Sequence, residues 1–284
     1  MRAVTLIALA VLALVPAGAH GSELERTGGF LERSLDSAGC ALEPGGTASA
    51  NLTSWAAIGL VAAGRPADRP AACIAARAGE LRSATDIELA ILALVAAGRD
   101  PRSAGGRDLA AALSRQLRGG RIGPTPASNQ FGILALRAMG QPVPAAVRAT
   151  LLRDQNPDGI WPVAPGGDGD SNLTASGISA AIAAGVPIRD ARIQRAVRSL
   201  ARFRSASGGY SLTEGARPDA QSTAWVLQGL AAANRRDAGA EAFLRGLVQA
   251  DGAVLYQRGV RVTPVWVTAQ ASVGLARRSF PLAP

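Results

Sequence analysis

Three aspartates stand where an acid could do chemistry. Asp168 and Asp170 lie in the Gly/Pro-rich run Gly166-Gly167-Asp168-Gly169-Asp170-Ser171, and Asp219 lies in a second, looser copy of the same phrase. Each precedes an Ala-rich apolar stretch, so a helix opening there holds the carboxyl beside its first turn. A carboxyl so placed has two uses: it can donate a proton if its surroundings keep it protonated, or it can accept the free amides of the turn as an N-cap. Capping is the simpler reading for Asp170 and Asp219. Little else in the chain could carry catalysis. The only histidine is His20, at the edge of an apolar leader, which leaves Ser-His-Asp and Cys-His mechanisms without an imidazole. No metal-ligand cluster is evident and no cofactor is expected. Aromatic side chains make up 4% of the sequence, and Trp55, Phe131, Trp161, Tyr210, Trp225 and Trp266 are the candidates to line a binding cavity or, alternatively, to pack the core.

The elements that position these residues repeat. A Thr followed two residues later by another side chain, then an apolar run, occurs at Thr53/Trp55, Thr174/Ser176, Thr223/Trp225 and Thr268/Gln270, with degenerate copies at Ile87/Leu89 and Asn129/Phe131. The marker positions are 34, 42, 45, 49 and 45 residues apart, which is the signature of one supersecondary unit used six times. Within each unit an amphipathic helix precedes an apolar one. The first set is expected near 25–37, 68–79, 106–118, 144–154, 190–204 and 238–249; the second near 50–63, 84–97, 126–139, 171–184, 220–233 and 265–276. A helix apolar all round is buried all round, so the second set must sit inside the first. Four residues before the marker stand Ser49, Ser83, Thr125, Asp170, Asp219 and Pro264, five of them N-cap types. Gly64, Gly98, Gly140 and Gly185 are placed to end four inner helices as left-handed C-caps. No strand pattern competes.

Charge and targeting bound the function further. Residues 1–19 read as a signal peptide: Arg2, an apolar run from Val4 to Val15 too short to span a bilayer, and Ala17-Gly18-Ala19 as the cleavage site. The remaining 20–284 then form an exported domain with no transmembrane anchor. Export makes Cys40 and Cys73 a candidate disulfide, with two buried thiols as the alternative. All basic residues are arginine, and the charge at pH 7 is +9. They are spread along the chain and form no basic arm, so nucleic acid is not the expected partner. One stripe, Arg192, Arg195, Arg198 and Arg202, is either the solvated face of an outer helix or a contact for an anionic surface.

The run Gln155-Asn156-Pro157-Asp158-Gly159-Ile160-Trp161 resembles the Q-x3-G-x-W core of the QW repeat of squalene and oxidosqualene cyclases. Thr174-Ala175 and Ser222-Thr223-Ala224-Trp225 resemble the broader prenyltransferase/squalene-oxidase repeat, most closely over 151–275. The resemblance implies an all-α fold, an (α/α)6 toroid of six inner helices ringed by six outer ones. It also implies two functions. Class II terpene cyclases of this kind donate a proton from the middle Asp of a D-x-D-D-T-A motif. Aligned on Thr174-Ala175 that motif falls on Asp170-Ser171-Asn172-Leu173, and on Asp219-Ala220-Gln221-Ser222 in the next repeat, so Asn172 and Gln221 replace the acid. The zinc ligands of protein prenyltransferases and a thioester motif are also missing. The expectation is therefore a secreted, non-enzymatic toroid that binds an apolar or amphipathic small molecule, or a protein segment, at its mouth. The alternative is a cyclase with a degenerate acid motif, using Asp168, Asp170 or Asp219.

Overall fold

The computed structural model describes residues 18–164 and 166–283. The signal-peptide reading rests on residues 1–17, which lie outside the described residues. Twelve α-helices alternate as anticipated. The outer set is α1 (Gly18–Arg33), α3 (Asp68–Ala76), α5 (Leu109–Ser114), α7 (Ala145–Arg153), α9 (Ala191–Ser199) and α11 (Ala238–Arg245). The inner set is α2 (Ala50–Ala62), α4 (Ala84–Ala96), α6 (Pro126–Ala138), α8 (Ser171–Ala183), α10 (Ala220–Ala232) and α12 (Pro264–Leu275). Each inner helix packs on the next, and α12 packs on α2, so the six close into a ring with the outer helices around it.

The inner helices begin and end within a residue of their expected positions because local chemistry fixes both ends. Ser49, Ser83, Thr125, Asp170 and Asp219 each accept an amide of the first turn on the side chain. All six inner helices close with a Schellman motif, as in the bonds from the Arg65 amide to the Leu60 carbonyl and from the Gly64 amide to the Val61 carbonyl. Gly64, Gly98, Gly140 and Gly185 take the left-handed position in four of them, and Asn234 and Arg277 take it in the last two. Pro264, the one residue at that position that is not a cap type, is the first helical residue. Thr263 precedes it in the left-handed region with no side-chain cap bond. The amides of Val265 and Trp266 are capped instead by Glu43, from the loop after α1, at 3.0 and 2.9 Å.

The repeated Thr is a structural tie. Thr53, Thr174 and Thr223 donate to the carbonyl of their own N-cap residue and accept the amides of Ala41, Trp161 and Tyr210. Thr268 accepts the Val254 amide, and Asn129 accepts that of Ile122. In five of the six repeats one buried side chain thus pins the incoming loop to its inner helix; Ile87, the marker of α4, cannot. Small residues set the spacing of the ring: a Cβ on Gly59 would lie 2.7 Å from Ala269 Cα, and one on Gly229 2.8 Å from Ala175 Cα. Helices this close admit no larger side chain without moving apart.

Five of the six outer helices are shorter than their hydrophobic pattern suggests, while α1 opens earlier than expected and stops at Arg33. α3 and α9 give way to short 3-10 turns, and α5 stops at Ser114. A small antiparallel hairpin, β1 (Leu117–Arg118) with β2 (Arg121–Ile122), follows α5 where helix was expected. Cys40 and Cys73 form a disulfide that ties the loop after α1 to α3.

Candidate functional site

Because each outer helix runs antiparallel to the inner helix it feeds, the six inner N-termini share one end. Side-chain bonds between neighbouring starts fix this: Asn51 donates to Asp86 at 2.8 Å, and Ser171 donates to the Ser211 carbonyl at 2.8 Å. The segments that lead into the inner helices therefore form a common mouth. Among the described residues, the exposed large hydrophobics Val163, Leu212, Val262 and Trp266 lie in these segments or the first turn they feed, whereas Leu117, on the hairpin before α6, lines a groove with Leu136, Gln141, Pro142 and Pro144 at the far end of that helix. Arg82, Arg118, Arg217 and Arg258 sit in the same segments, exposed, and make no ion pair among the described residues.

Below the mouth the barrel is filled. Trp55, Phe131 and Trp225 project from three alternate inner helices and meet edge to face, with Trp225 centred 6.0 Å from Trp55 and 5.7 Å from Phe131. Phe280, in the tail after α12, joins them at 6.4 Å from Trp55 and 5.9 Å from Trp225. Phe280 and Leu282 are both buried, so the tail closes the barrel from the end opposite the mouth.

The six aromatic candidates divide into three groups. Trp55, Phe131 and Trp225 are brought together in the barrel. Trp161 and Tyr210 are buried anchors of the loops before α8 and α10: the Trp161 indole donates to the Leu151 carbonyl at 2.9 Å, and the Tyr210 hydroxyl donates to Asp237 at 2.9 Å. Asp237 is the N-cap of α11 and also binds Arg204; against the effect of burial, these bonds hold its pKa down at about 2. Trp266 alone of the six is exposed at the mouth.

Among the described residues no hydrogen bond joins any two of the three aspartates. Asp170 accepts the Leu173 amide at 2.7 Å, and Asp219 accepts the Ser222 amide and hydroxyl, both at 2.8 Å. Burial raises the pKa of each, opposed by these same hydrogen bonds. Asp168 is exposed on the loop before α8. Gln221 donates to Gln270 at 3.1 Å, so the amide at the motif's acid position is engaged with its neighbour.

The barrel interior also holds polar groups that the repeat pattern did not reveal. Glu88 on α4, Gln130 on α6, Ser176 on α8 and Gln228 on α10 are buried, and their polar side-chain atoms have no hydrogen-bond partner within the protein. These positions fall within four residues of one another in repeat register, a span of about 6 Å along the axis. Burial pushes the Glu88 carboxyl well above the ordinary value of 4.5, toward its neutral form. The signal in the sequence was an acid inside an otherwise apolar inner helix, Asp86-Ile87-Glu88-Leu89-Ala90-Ile91. The interior is therefore mixed, with these polar groups set among apolar side chains.

No protein-family profile matches the sequence, and a search of the curated proteins finds no relative. Solved structures do match. The type II terpene cyclase MstE from Scytonema, in complex with its substrate geranylgeranyl dihydroxybenzoate, is 14% identical with a TM-score of 0.68, covering 92% of this chain and 97% of that one. The fold is the α/α toroid of the type II terpene cyclases. A glycosidase matches at 16% identity and TM-score 0.66, covering 95% of this chain and 100% of its own. A protein from Actinoplanes matches at 16% and 0.66, covering 91% and 99%. At these identities the likeness is one of fold, and the same toroid carries both terpene and glycoside chemistry in those proteins.

Proposed function

We propose that the protein is a secreted binding toroid that holds an amphipathic molecule, apolar in body and anionic at one end, at its N-terminal mouth and releases it unchanged. The observation that carries this reading is the placement of four exposed large hydrophobics, Val163, Leu212, Val262 and Trp266, on the segments around that mouth. Exposed apolar side chains gathered at one end of a fold, among polar groups, mark a binding site more often than residues scattered singly over the surface do. The unpaired arginines in the same segments suit an acidic head group. Two further features favour binding over turnover: Asp170 and Asp219 are occupied as caps, and Phe280 and Leu282 fill the far end of the barrel. The disulfide, and the fact that no helix among the described residues is long and apolar enough to cross a membrane, are compatible with export.

Native mass spectrometry of protein taken from its own secretion medium should reveal a co-purified, unmodified amphiphile. Titration with cis-parinaric acid should show saturable binding, weakened at least about tenfold in a Trp266→Ala/Leu212→Ser variant. Unchanged affinity in that variant would sink the mouth as the site.

One observation favours a second reading, a cyclase-like enzyme with a displaced acid. Glu88 is a buried carboxyl inside a terpene-cyclase fold, and burial raises its pKa well above the ordinary value, the direction an alkene-protonating acid needs. It ranks second because the carboxyl has no accessible surface for a substrate to meet. Incubation with squalene and with geranylgeranyl diphosphate decides between the two. A cyclised product that Glu88→Gln abolishes and Asp170→Asn leaves intact would establish the enzyme.

A further inference from the structure

The outer wall of the ring is electrically lopsided. α7 and α9 are neighbours on that wall, joined by Gln155, whose amide donates to the carbonyls of Gly159 and Arg192 at 3.0 and 3.2 Å. Every charged side chain on these two helices is an arginine: Arg148 and Arg153 on α7, and Arg192, Arg195 and Arg198 on α9. That is +5 with no acid. The other four outer helices carry Glu23, Glu25, Arg26, Glu32 and Arg33 on α1, Asp68 and Arg69 on α3, none on α5, and Glu241 and Arg245 on α11, which sum to −1.

All five arginines are exposed, and none makes an ion pair among the described residues. Of the nearby acids, Asp154 pairs with Arg121 and Asp158 with Arg202, while Asp190 caps α9 through the Arg192 amide and leaves one negative charge at the start of that helix. Arg202, read from sequence as part of the same stripe, is neutralised by Asp158 and Glu214. The remaining file on α9 steps by three residues, about 4.5 Å per step, and α7 and α9 both pack on α8. Concentrating unpaired like charges on one face works against stability and creates a strong positive potential there.

We propose that the arginine wall formed by α7 and α9 adsorbs the protein onto an anionic phospholipid surface. The chemistry of the wall selects this partner. Guanidinium groups bind phosphate oxygens in pairs, and the wall is the convex outside of a ring, which meets a flat sheet of head groups better than it grips a strand. Neither helix presents an exposed large apolar or aromatic side chain, so bases have nothing to stack on and the contact does not insert into the bilayer. In this orientation the axis of the ring lies along the membrane and the mouth opens over its surface.

Vesicle flotation tests the proposal with the whole protein. Vesicles of phosphatidylcholine with about one-third phosphatidylglycerol should carry the protein at ~20 mM salt and release most of it at ~150 mM. Pure phosphatidylcholine vesicles should carry none. Each arginine contributes about fivefold to partitioning, so Arg192→Gln/Arg195→Gln/Arg198→Gln should lower it about a hundredfold. Arg26→Gln/Arg99→Gln/Arg102→Gln removes the same net charge from other faces and should change it only a few-fold; unchanged thermal melts of both triples establish that they are folded. Failure to bind anionic vesicles at low salt, equal loss in both triples, or tighter binding to duplex DNA at matched phosphate concentration would each overturn the proposal.

Discussion

The carboxylate of Glu43 accepts the amide of Trp266, 223 residues further along the chain, at 2.9 Å. Its other oxygen accepts the neighbouring amide of Val265 at 3.0 Å. The last inner helix thus borrows its N-cap from the first repeat. This bond spans the seam where the ring closes, and it fixes the backbone that presents the Trp266 indole at the mouth. Five inner helices cap themselves; α12 cannot, because Thr263 is in the left-handed region and Pro264 has no amide.

Glu43→Ala should therefore behave as the loss of a helix cap at a distance. A cost of ~1–2 kcal/mol is expected, lowering Tm by several degrees for a chain of this size. Hydrogen exchange should localise the effect to Val265 and Trp266, with the starts of the other inner helices unchanged. Uniform loss of protection, or no change at α12, would count against the seam cap.

Asp170 and Asp219 make the same bond within their own repeats. Replacing either by Ala should cost ~1 kcal/mol, with Asn or Ser nearly neutral. Asp219 is expected at the upper end because it also accepts the Ser222 hydroxyl. A proton donor would separate the variants differently: Asn would remove activity while leaving the melting curve in place.

Glu88 predicts a pH dependence of the opposite sign to that of paired carboxylates. Its folded-state pKa is raised by burial, so between the ordinary value of 4.5 and that raised value the unfolded chain releases a proton that the native state keeps. Stability due to this group is full below about pH 4.5 and declines as pH rises through that window. Asp237, held at about 2, acts only on the acid side, where its contribution disappears as pH falls from the ordinary 3.8 toward 2. Glu88→Gln should flatten the decline and raise stability at pH 8 relative to the parent. Denaturant midpoints of the two proteins at pH 4 and pH 8 give the difference directly. Parallel pH profiles would show that Glu88 ionises freely in the native state.

Much of the architecture was legible because it is written locally. Every inner helix carries its own apolar run and left-handed C-cap, and all but α12 carry their own N-cap residue, so their bounds needed no knowledge of the rest of the chain. The outer helices were less legible, because the hydrophobic period continues past the point where the backbone leaves the helix, as at Ser114 and Ser199. Glu43 was illegible for the opposite reason: its partner lies at the other end of the sequence. Glu88 was visible as an acid among apolar residues, but the marker alignment placed it in a degenerate repeat and drew attention to Asp170 and Asp219 instead. The Thr marker is plain in sequence, and only the structure shows why: its hydroxyl bonds both to the cap residue and to the loop above.

The tail supplies the last test. Phe280 lies against Trp55 and Trp225 within the barrel, and Arg278 reaches the Val61 carbonyl at 3.3 Å at the C-terminal end of α2. If this contact closes the barrel, Phe280→Ala should cost ~3–5 kcal/mol, the range for deleting a buried aromatic ring. A phenylalanine laid on the surface would cost less than ~0.5 kcal/mol. Acrylamide should also quench tryptophan emission more strongly in the variant, because Trp55 and Trp225 gain a path to solvent from below. Trp161 is sealed under its loop and Trp266 is exposed already, so neither should contribute to the change. The same variant separates the two ends of the ring as binding sites. Affinity for cis-parinaric acid should survive the substitution if the ligand sits at the mouth, and should change sharply if the ligand enters past the tail.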